Sequence, residues 1–289
     1  MKIVILGSTG QVGSAITKTI RSTFPEAEIL ACGRKPRLDI FPFNPYIDEW
    51  KTLGKPDIII NSIGAMLPTA NYSLHQIHVG LAEKFRENFD QIGRPRIINI
   101  SALGANTTHS TAFLRTKGQA DEILNQLPKS VILRPSVIHT PENMIWKRLY
   151  LLVKISWIFG GYLIIPFSLA NCLLQPILVG DLATIVAKLI TKTEYIGINE
   201  IAGPEKYRVK QLVELIAFAK NRTIGFLYMN DKIADFIIGE LVTGLMPRIL
   251  NKDQYKLLKE DNISDNNQAE AIMGRVPESV IPALKEMFK

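Results

Sequence analysis

Cysteine is scarce here: Cys32 and Cys172 are the only two in 289 residues. Two thiols make no disulfide framework, and no group of His, Cys, Asp and Glu shows metal-ligand spacing, so the sequence predicts no metal and a reducing, cytoplasmic setting. Unbroken hydrophobic runs are also missing. Ile155 to Gly180 carries no charge, but Gly160, Gly161, Pro166, Asn171, Gln175 and Pro176 interrupt it. A spanning helix needs ~20 consecutive apolar residues, so a clean single span is not expected. Lys2 is followed by a short apolar run and glycines, without the h-region and cleavage site of a secretory signal. No internal repeat or low-complexity segment occurs. Cations outnumber carboxylates, 34 to 27, for a net charge of +7. The lysines are dispersed along the chain, which argues against a nucleic-acid interface.

What remains is a globular composition, 47% hydrophobic and 21% charged, with its most informative stretch at the start. Ile3 to Leu6 reads as a buried strand that stops at Gly7. Gly10 and Gly13 follow at three-residue spacing, and Ser14 to Ile20 is helix-compatible. Strand, glycine turn and helix start together present backbone N–H groups to a pyrophosphate. Gly7, Ser8, Thr9, Gly10, Gln11, Val12 and Gly13 are therefore candidate cofactor contacts. The spacing is GxxGxxG, not GxGxxG.

Strand and helix patterns then alternate. Ala27–Cys32, Asp57–Asn61, Arg96–Ile100 and Val131–Leu133 read as buried strands, and Ser73–Phe89 and Leu114–Gln126 as helices. Uncharged central strands separated by helices predict an α/β fold, a Rossmann-type doubly wound parallel sheet. Ligands in such sheets sit at the carboxyl ends of the strands. Past the second strand stand Arg34 and Lys35, where an NAD-preferring site carries an acidic residue. Arginine there suits a 2′-phosphate, so NADP(H) is preferred and NAD(H) remains open. Asp39 is placed near the adenine. Asn61, Ser62, Ile63 and Gly64 form a small-residue turn expected under the cofactor ribose. His75 and His78 lack a third ligand and read as a packing or polar-contact pair. Ser101 ends the next strand and Lys117 lies on the helix after it. Pro135, ending the strand beyond, joins the candidate cofactor contacts.

Gly7 to Gly13, Asn61-Ser-Ile-Gly64, His78-Val-Gly80, Ser101-Ala-Leu-Gly-Ala105, Phe113-Leu-Arg-Thr-Lys117, Arg134-Pro-Ser136, Gln175-Pro-Ile-Leu-Val-Gly-Asp181 and Gly203-Pro204 run nearly end to end. Asp253-Gln254 and Asp261-Asn262 follow near the end. Together they resemble one branch of the atypical short-chain dehydrogenase/reductases, that of the NADPH-binding accessory subunit of respiratory complex I and its bacterial relatives. The resemblance implies a Rossmann core, bound NADP(H), and either a structural role at a membrane enzyme or a role in quinone metabolism. It also implies that Lys117 holds the ribose, with Ser101 in the acid/base set. The residue four before Lys117, a tyrosine in such sites, is Phe113, which has no proton to give. Tyr150–Lys154 and Tyr255–Lys259 repeat the Tyr-x-x-x-Lys spacing beyond the relevant strand and read as chance. His139-Thr140 stands where relatives carry an aromatic-glycine pair, and His139 reads as a loop residue without catalytic duty.

Residues 1–205 are expected to form the nucleotide-binding core, with a cap insertion about 141–174, and residues 206–289 a small C-terminal α/β cap lobe. In the insertion, Trp146, Tyr150, Trp157, Phe159 and Tyr162 alternate with Lys147, Arg148 and Lys154. That pattern fits a helix over the cleft, followed by a buried strand before Asp181. It fits equally a peripheral surface in a membrane interface, at the inner face of the membrane. Val209–Ala219 and the apolar stretch Asp235–Leu250 read as helices, Ile224–Met229 as a strand, and Asp261–Gln268 as a flexible loop. Three functions follow: a protein holding NADP(H) structurally or for regulation beside respiratory or quinone-pathway partners; a working NADPH-dependent oxidoreductase on an apolar, quinone- or lipid-like substrate; and a nucleotide-sensing regulator.

Overall fold

The computed structural model describes residues 1–35, 37–242 and 252–288, in two compact units. The first comprises Met1–Pro135, Val179–Ala202 and Ser264–Pro277; the second comprises Ser136–Leu178, Gly203–Ile263 and Glu278–Lys289.

Seven strands make the sheet of the first unit: β1 (Lys2–Leu6), β2 (Glu28–Gly33), β3 (Phe41–Pro42), β4 (Ile58–Asn61), β5 (Arg96–Ile100), β6 (Val131–Pro135) and β7 (Gly197–Ile201). All pairings are parallel, in the order β7-β6-β5-β4-β1-β2-β3. Ile3 to Leu6, Ile58 to Ile60 and Val131 to Leu133 are buried throughout, as a sheet covered on both faces requires. The chain winds outward from β1 to β3, then returns to start the other half at β4. The crevice between β1 and β4 is the ligand position of such sheets.

Helices α1 (Gln11–Thr23), α2 (Leu81–Asn88), α3 (Ala112–Asn125), α4 (Val179–Thr191) and α5 (Ala269–Met273) flank it. On α1 the buried positions are Gly13, Ile16, Thr17 and Ile20, one stripe at helical period; α1 packs on α4. Under the other face, Trp50 meets Phe85 edge-on at 4.8 Å and Phe43 at 5.8 Å, in a core with Ile92 and Leu124. The polar segment near residue 264 is bolted down: the Asn267 side chain accepts from Ala202 N (2.9 Å), and Ser264 Oγ donates to Glu200 (2.6 Å).

In the second unit a helix, Met144–Ile158, starts at Asn143, whose side chain caps Ile145 N. Strand Tyr162–Pro166 pairs in parallel with Gly225–Met229. Trp146, Leu149, Leu163, Ile165, Leu212 and Ile216 form the core. Two shorter pairings complete it, Ile138–His139 with Ile177–Leu178 and Leu173–Leu174 with Tyr207–Arg208.

The doubly wound parallel sheet expected from the sequence is present, and helix Val209–Ala219 falls where the pattern placed it. Other expectations need correction. The segment before Asp181 gives two two-residue strands outside the main sheet, because Pro176 breaks the run. Ser73–Phe89 is not one α-helix: Gln76–Gly80 is a π-turn and α2 begins at Leu81. Asp261–Gln268 is pinned, not loose, since the Asp261 side chain also accepts from Leu173 N (2.8 Å) and that of Asn262 from Val137 N (2.8 Å). His139 lies in a short strand, buried, its ring 5.2 Å from Trp146. Asp235–Val242 is helical; Thr243 to Leu250, expected to continue that helix, lie outside the described residues.

Gly13 decides how α1 meets the sheet. A Cβ there would lie 2.1 Å from the Gly7 carbonyl oxygen and 2.6 Å from Ser62 Oγ. Gly13→Ala is expected to force the helix off the turn at a cost of about 1–3 kcal/mol. Denaturant unfolding should read this as a lower midpoint at unchanged slope; an unaltered midpoint would refute the contact.

Candidate functional site

Every residue of the candidate site described next belongs to the first unit, at the carboxyl ends of its strands. Gly7 leaves β1 with a φ of +79°, a conformation costly for any side chain. Gly10 N–H then bonds back to the Gly7 carbonyl (3.0 Å) and closes the turn. Gly10 is the N-cap of α1; it brings no side-chain cap, and the first turn of α1 has no carboxylate. The amino end of α1 therefore keeps its positive pole for an outside anion. Gly10 has ordinary backbone angles, and among the described residues, its chain neighbours aside, the one atom within 4 Å of its would-be Cβ is the Gly7 oxygen at 3.4 Å. The space it leaves is thus not filled by protein, unlike that at Gly13. Ser8 is spoken for: its hydroxyl and N–H both bond to the Cys32 carbonyl, at 2.8 and 3.2 Å.

At the end of β2, a Cβ on Gly33 would meet Thr9 and Ile40 at 2.9 Å. Arg34 and Lys35 follow, both exposed, and neither enters an ion pair among the described residues. Asp39, at a φ of +62°, is exposed and gives its carbonyl to Arg21 (3.3 Å).

The turn after β4 is built by its own side chains. Asn61 donates to the Asn99 side chain (2.7 Å), joining the ends of β4 and β5, and accepts from Ile63 N (3.1 Å). Ser62 Oγ donates to the Leu6 carbonyl (2.8 Å). These bonds hold Ser62 to Gly64 beside the glycine loop, where a Cβ on Gly7 would touch Ile63 N and Ser62 Oγ at 3.0 Å.

Lys117 projects from α3 into this corner. It is buried, its Nζ donates to the Ile100 carbonyl (2.8 Å), and a Cβ on Gly64 would lie 3.0 Å from it. Burial lowers its pKa to about 8, against the opposing pull of Asp121. His78, also buried, comes next to it, while His75 is exposed; the two do not act as a pair. Thr116 Oγ1 gives its proton to helix carbonyls, so it accepts from His78 Nδ1 (2.8 Å), and Nε2 accepts from Ala65 N (3.4 Å). The ring is neutral: burial first, then Lys117, lower its pKa to about 3. Asn61, Asn99, His78 and Lys117 help line a cavity of about 10 Å³, room for one water. The Phe113 ring stands edge-on to His78 at 5.9 Å.

Ser101 is buried at the end of β5. Its hydroxyl donates to Asp121 (2.8 Å), a carboxylate with no exposure, which also pairs with Arg134 Nε (2.9 Å) at the end of β6. Burial raises the pKa of Asp121 in spite of Ser101, Arg134 and Lys117. Sequence reasoning missed Asp121 and His78 as site residues. Asp121 lies one helical turn beyond Lys117 and Arg134 at a strand end, a signal that was available. Pro135 ends β6 and its carbonyl accepts from Leu103 N (2.8 Å). Gly7, Asn61 to Gly64 and Lys117 are brought together by these contacts, and no His, Cys, Asp and Glu group among the described residues could hold a metal.

No family model matches the chain. It is 28% identical over 231 residues to an Arabidopsis thaliana protein, NADH dehydrogenase (ubiquinone) 1 alpha subcomplex subunit 9, mitochondrial, covering 74% of this chain and 55% of that protein. To the mitochondrial NADH-ubiquinone oxidoreductase 40 kDa subunit of Neurospora crassa it is 21% identical, covering 90% and 71%. The chain thus spans little more than half the length of the Arabidopsis relative. Among solved structures, an Escherichia coli NADPH-dependent quinone oxidoreductase complexed with NADPH aligns with a TM-score of 0.75 at 15% identity, over 99% of this chain and all of the other. A nucleoside-diphosphate-sugar epimerase from Staphylococcus aureus aligns at 0.73 and 15%, over 99% and 100%. The structures establish the fold. The relatives bear out the resemblance to the complex I accessory subunit and, with it, to the atypical short-chain dehydrogenase/reductases.

Two outcomes follow from the geometry. Gly10→Ala is expected to leave the unfolding midpoint unchanged yet weaken nucleotide binding at least tenfold by titration calorimetry; retained affinity would dismiss the open space above Gly10. His78 has a folded pKa below its unfolded one, so its contribution to stability is full above about pH 6.5 and is lost as pH falls toward 3. The slope is at most about 1.4 kcal/mol per pH unit. His78→Gln should flatten the stability profile between pH 6.5 and 4 by that one proton, and an identical slope would refute the neutral ring.

Proposed function

We propose that this chain, which resembles the atypical short-chain dehydrogenase/reductases, binds NADP(H) and keeps it as a structural or regulatory group beside a respiratory or quinone-pathway assembly. The amino end of α1 with Gly10 would take the pyrophosphate, Arg34 and Lys35 the 2′-phosphate, and Lys117 the ribose near the Ser62–Gly64 turn. A bound nicotinamide supplies hydride chemistry; what this chain lacks at the expected place is the proton donor. Phe113 is the observation that carries the reading. Its ring fills the position one turn before Lys117, and Ser101, the other member of the acid/base set, spends its proton on Asp121. The relatives named as complex I subunits favour a respiratory partner; their mitochondrial setting is theirs.

A second reading, an active NADPH-dependent reductase on an apolar substrate, draws on Lys117. An amine with a pKa of about 8 exchanges its proton near neutrality. Both readings are separated by one set of measurements. The purified protein should carry NADP(H), identified by mass spectrometry. It should not oxidise NADPH with short-chain quinones, and Phe113→Tyr should leave binding intact. Turnover by the wild type would replace the first reading with the second. Retention of NAD(H) alone, with Arg34→Ala binding as before, would overturn the 2′-phosphate assignment.

A further inference from the structure

One side of the second unit presents an apolar strip, and it does not depend on the nucleotide reading. The paired strands Tyr162–Pro166 and Gly225–Met229 bury Leu163 and Ile165 on their inner side. Their outer side carries Tyr162, Ile164 and Leu227, each about half exposed. Ile164 and Leu227 are register partners, and the Tyr162 ring lies so close over Gly225 that a Cβ there would be 2.7 Å from it. At one end the helix Met144–Ile158 runs out in Trp157, Ile158 (79% exposed) and Phe159, turned back into the strand by Gly160 and Gly161 at positive φ. Beyond the strip, Phe167 meets Tyr228, the register partner of inward Ile165, edge-on at 5.6 Å. Side chains this apolar and this contiguous are unusual on a surface in water. Among the described residues none packs on the outer side of Ile164 and Leu227.

The charge at the Trp157 end of the strip has one sign, and at the other end Asp231 accepts from Ser168 N and Oγ (3.1 and 2.7 Å). Residues 144–167 and 218–229 contain Lys147, Arg148, Lys154, Lys220 and Arg222 and no aspartate or glutamate. The Arg222 guanidinium stands 5.1 Å from the Trp157 ring centroid, and Lys210 lies 5.8 Å from that of Tyr228. Tryptophan, tyrosine and cations alternating along an apolar strip match the headgroup boundary of a bilayer, with rings at the acyl edge and cations at the phosphates. A face-to-face second copy would oppose cation to cation. No helix among the described residues is long and apolar enough to cross a membrane. We propose that this face docks in the surface layer of an anionic phospholipid bilayer, without spanning it.

Flotation of the intact protein with phosphatidylcholine vesicles, with and without phosphatidylglycerol, tests this. Binding is expected only with the anionic lipid, and loss of it at high salt. Lys220→Glu with Arg222→Glu should cut bound protein about tenfold or more. Ile158→Ser with Phe159→Ser, on the solvent turn, should cut it several-fold while the unfolding midpoint stays in place. Lys51→Glu with Lys129→Glu, in the first unit, should change it little. Equal binding to neutral vesicles, no binding, or equal loss in all three double variants would overturn the proposal. So would a concentration-dependent dimer in sedimentation equilibrium that the Ile158/Phe159 variant abolishes.

Discussion

The rest of the first unit depends on the approach of α1 to the Gly7 carbonyl. With no Cβ at position 13, the helix stands against the turn, and Ser62 Oγ fits between them on its way to the Leu6 carbonyl. A helix held that close has its amino end directly over the crevice between β1 and β4, where the doubly wound order reverses. The three glycines therefore divide their labour. Gly7 makes the bend, Gly13 allows the contact, and Gly10, with ordinary backbone angles, caps the amino end of α1 and leaves open space beside it.

Beyond the crevice, the site is organised by charge in a dry place. Lys117, Asp121 and Arg134 sit at the ends of β5 and β6 with little or no water, a costly arrangement unless the charges offset each other. Arg134 and Ser101 satisfy one oxygen of Asp121, and the second has no hydrogen-bond partner among the described residues. The same burial that raises Asp121 lowers Lys117 and His78, so all three are pushed toward their neutral forms. His78 completes that shift, and its two nitrogens become fixed as donor and acceptor. It then serves to lock the loop at Ala65 onto α3 through Thr116.

Much of the fold was legible because buried parallel strands leave an uncharged run followed by glycine or a small polar residue. β1, β4 and β5 end that way, at Gly7, Ser62 and Ser101, while the apolar run of β6 stops at Arg134. The two-residue β3 has no such run, and β7 alternates exposed and buried residues because it is at the sheet's edge. In the site, the glycines were readable from spacing and Lys117 from the family resemblance, whereas the partners of Ser101 were not: that Asp121 reaches it is a fact of how α3 lies on β5. The matched motifs also mean less about chemistry than their pattern suggests. Gln175 and Gly203 bond to each other at 2.8 Å, and a Cβ on Gly203 would strike the Pro176 carbonyl at 1.9 Å. Asp181, almost fully buried, pairs with Arg275. These residues hold backbone to backbone, and a sequence pattern alone does not distinguish them from residues that hold a ligand.

Phe113 draws these threads together. An enzyme that lost its tyrosine by drift would leave the surrounding polar groups directed at an absent hydroxyl. Here they are directed elsewhere: Ser101 to Asp121, Lys117 to the Ile100 carbonyl, and His78 to Thr116 and Ala65. The phenyl ring lies against the imidazole edge, an apolar contact that a neutral histidine accepts readily. The network is closed without a proton donor. The glycine turn and the strand ends are held by packing and backbone bonds, while Ser101, Lys117 and His78 direct their hydrogen bonds to Asp121, the Ile100 carbonyl, Thr116 and Ala65.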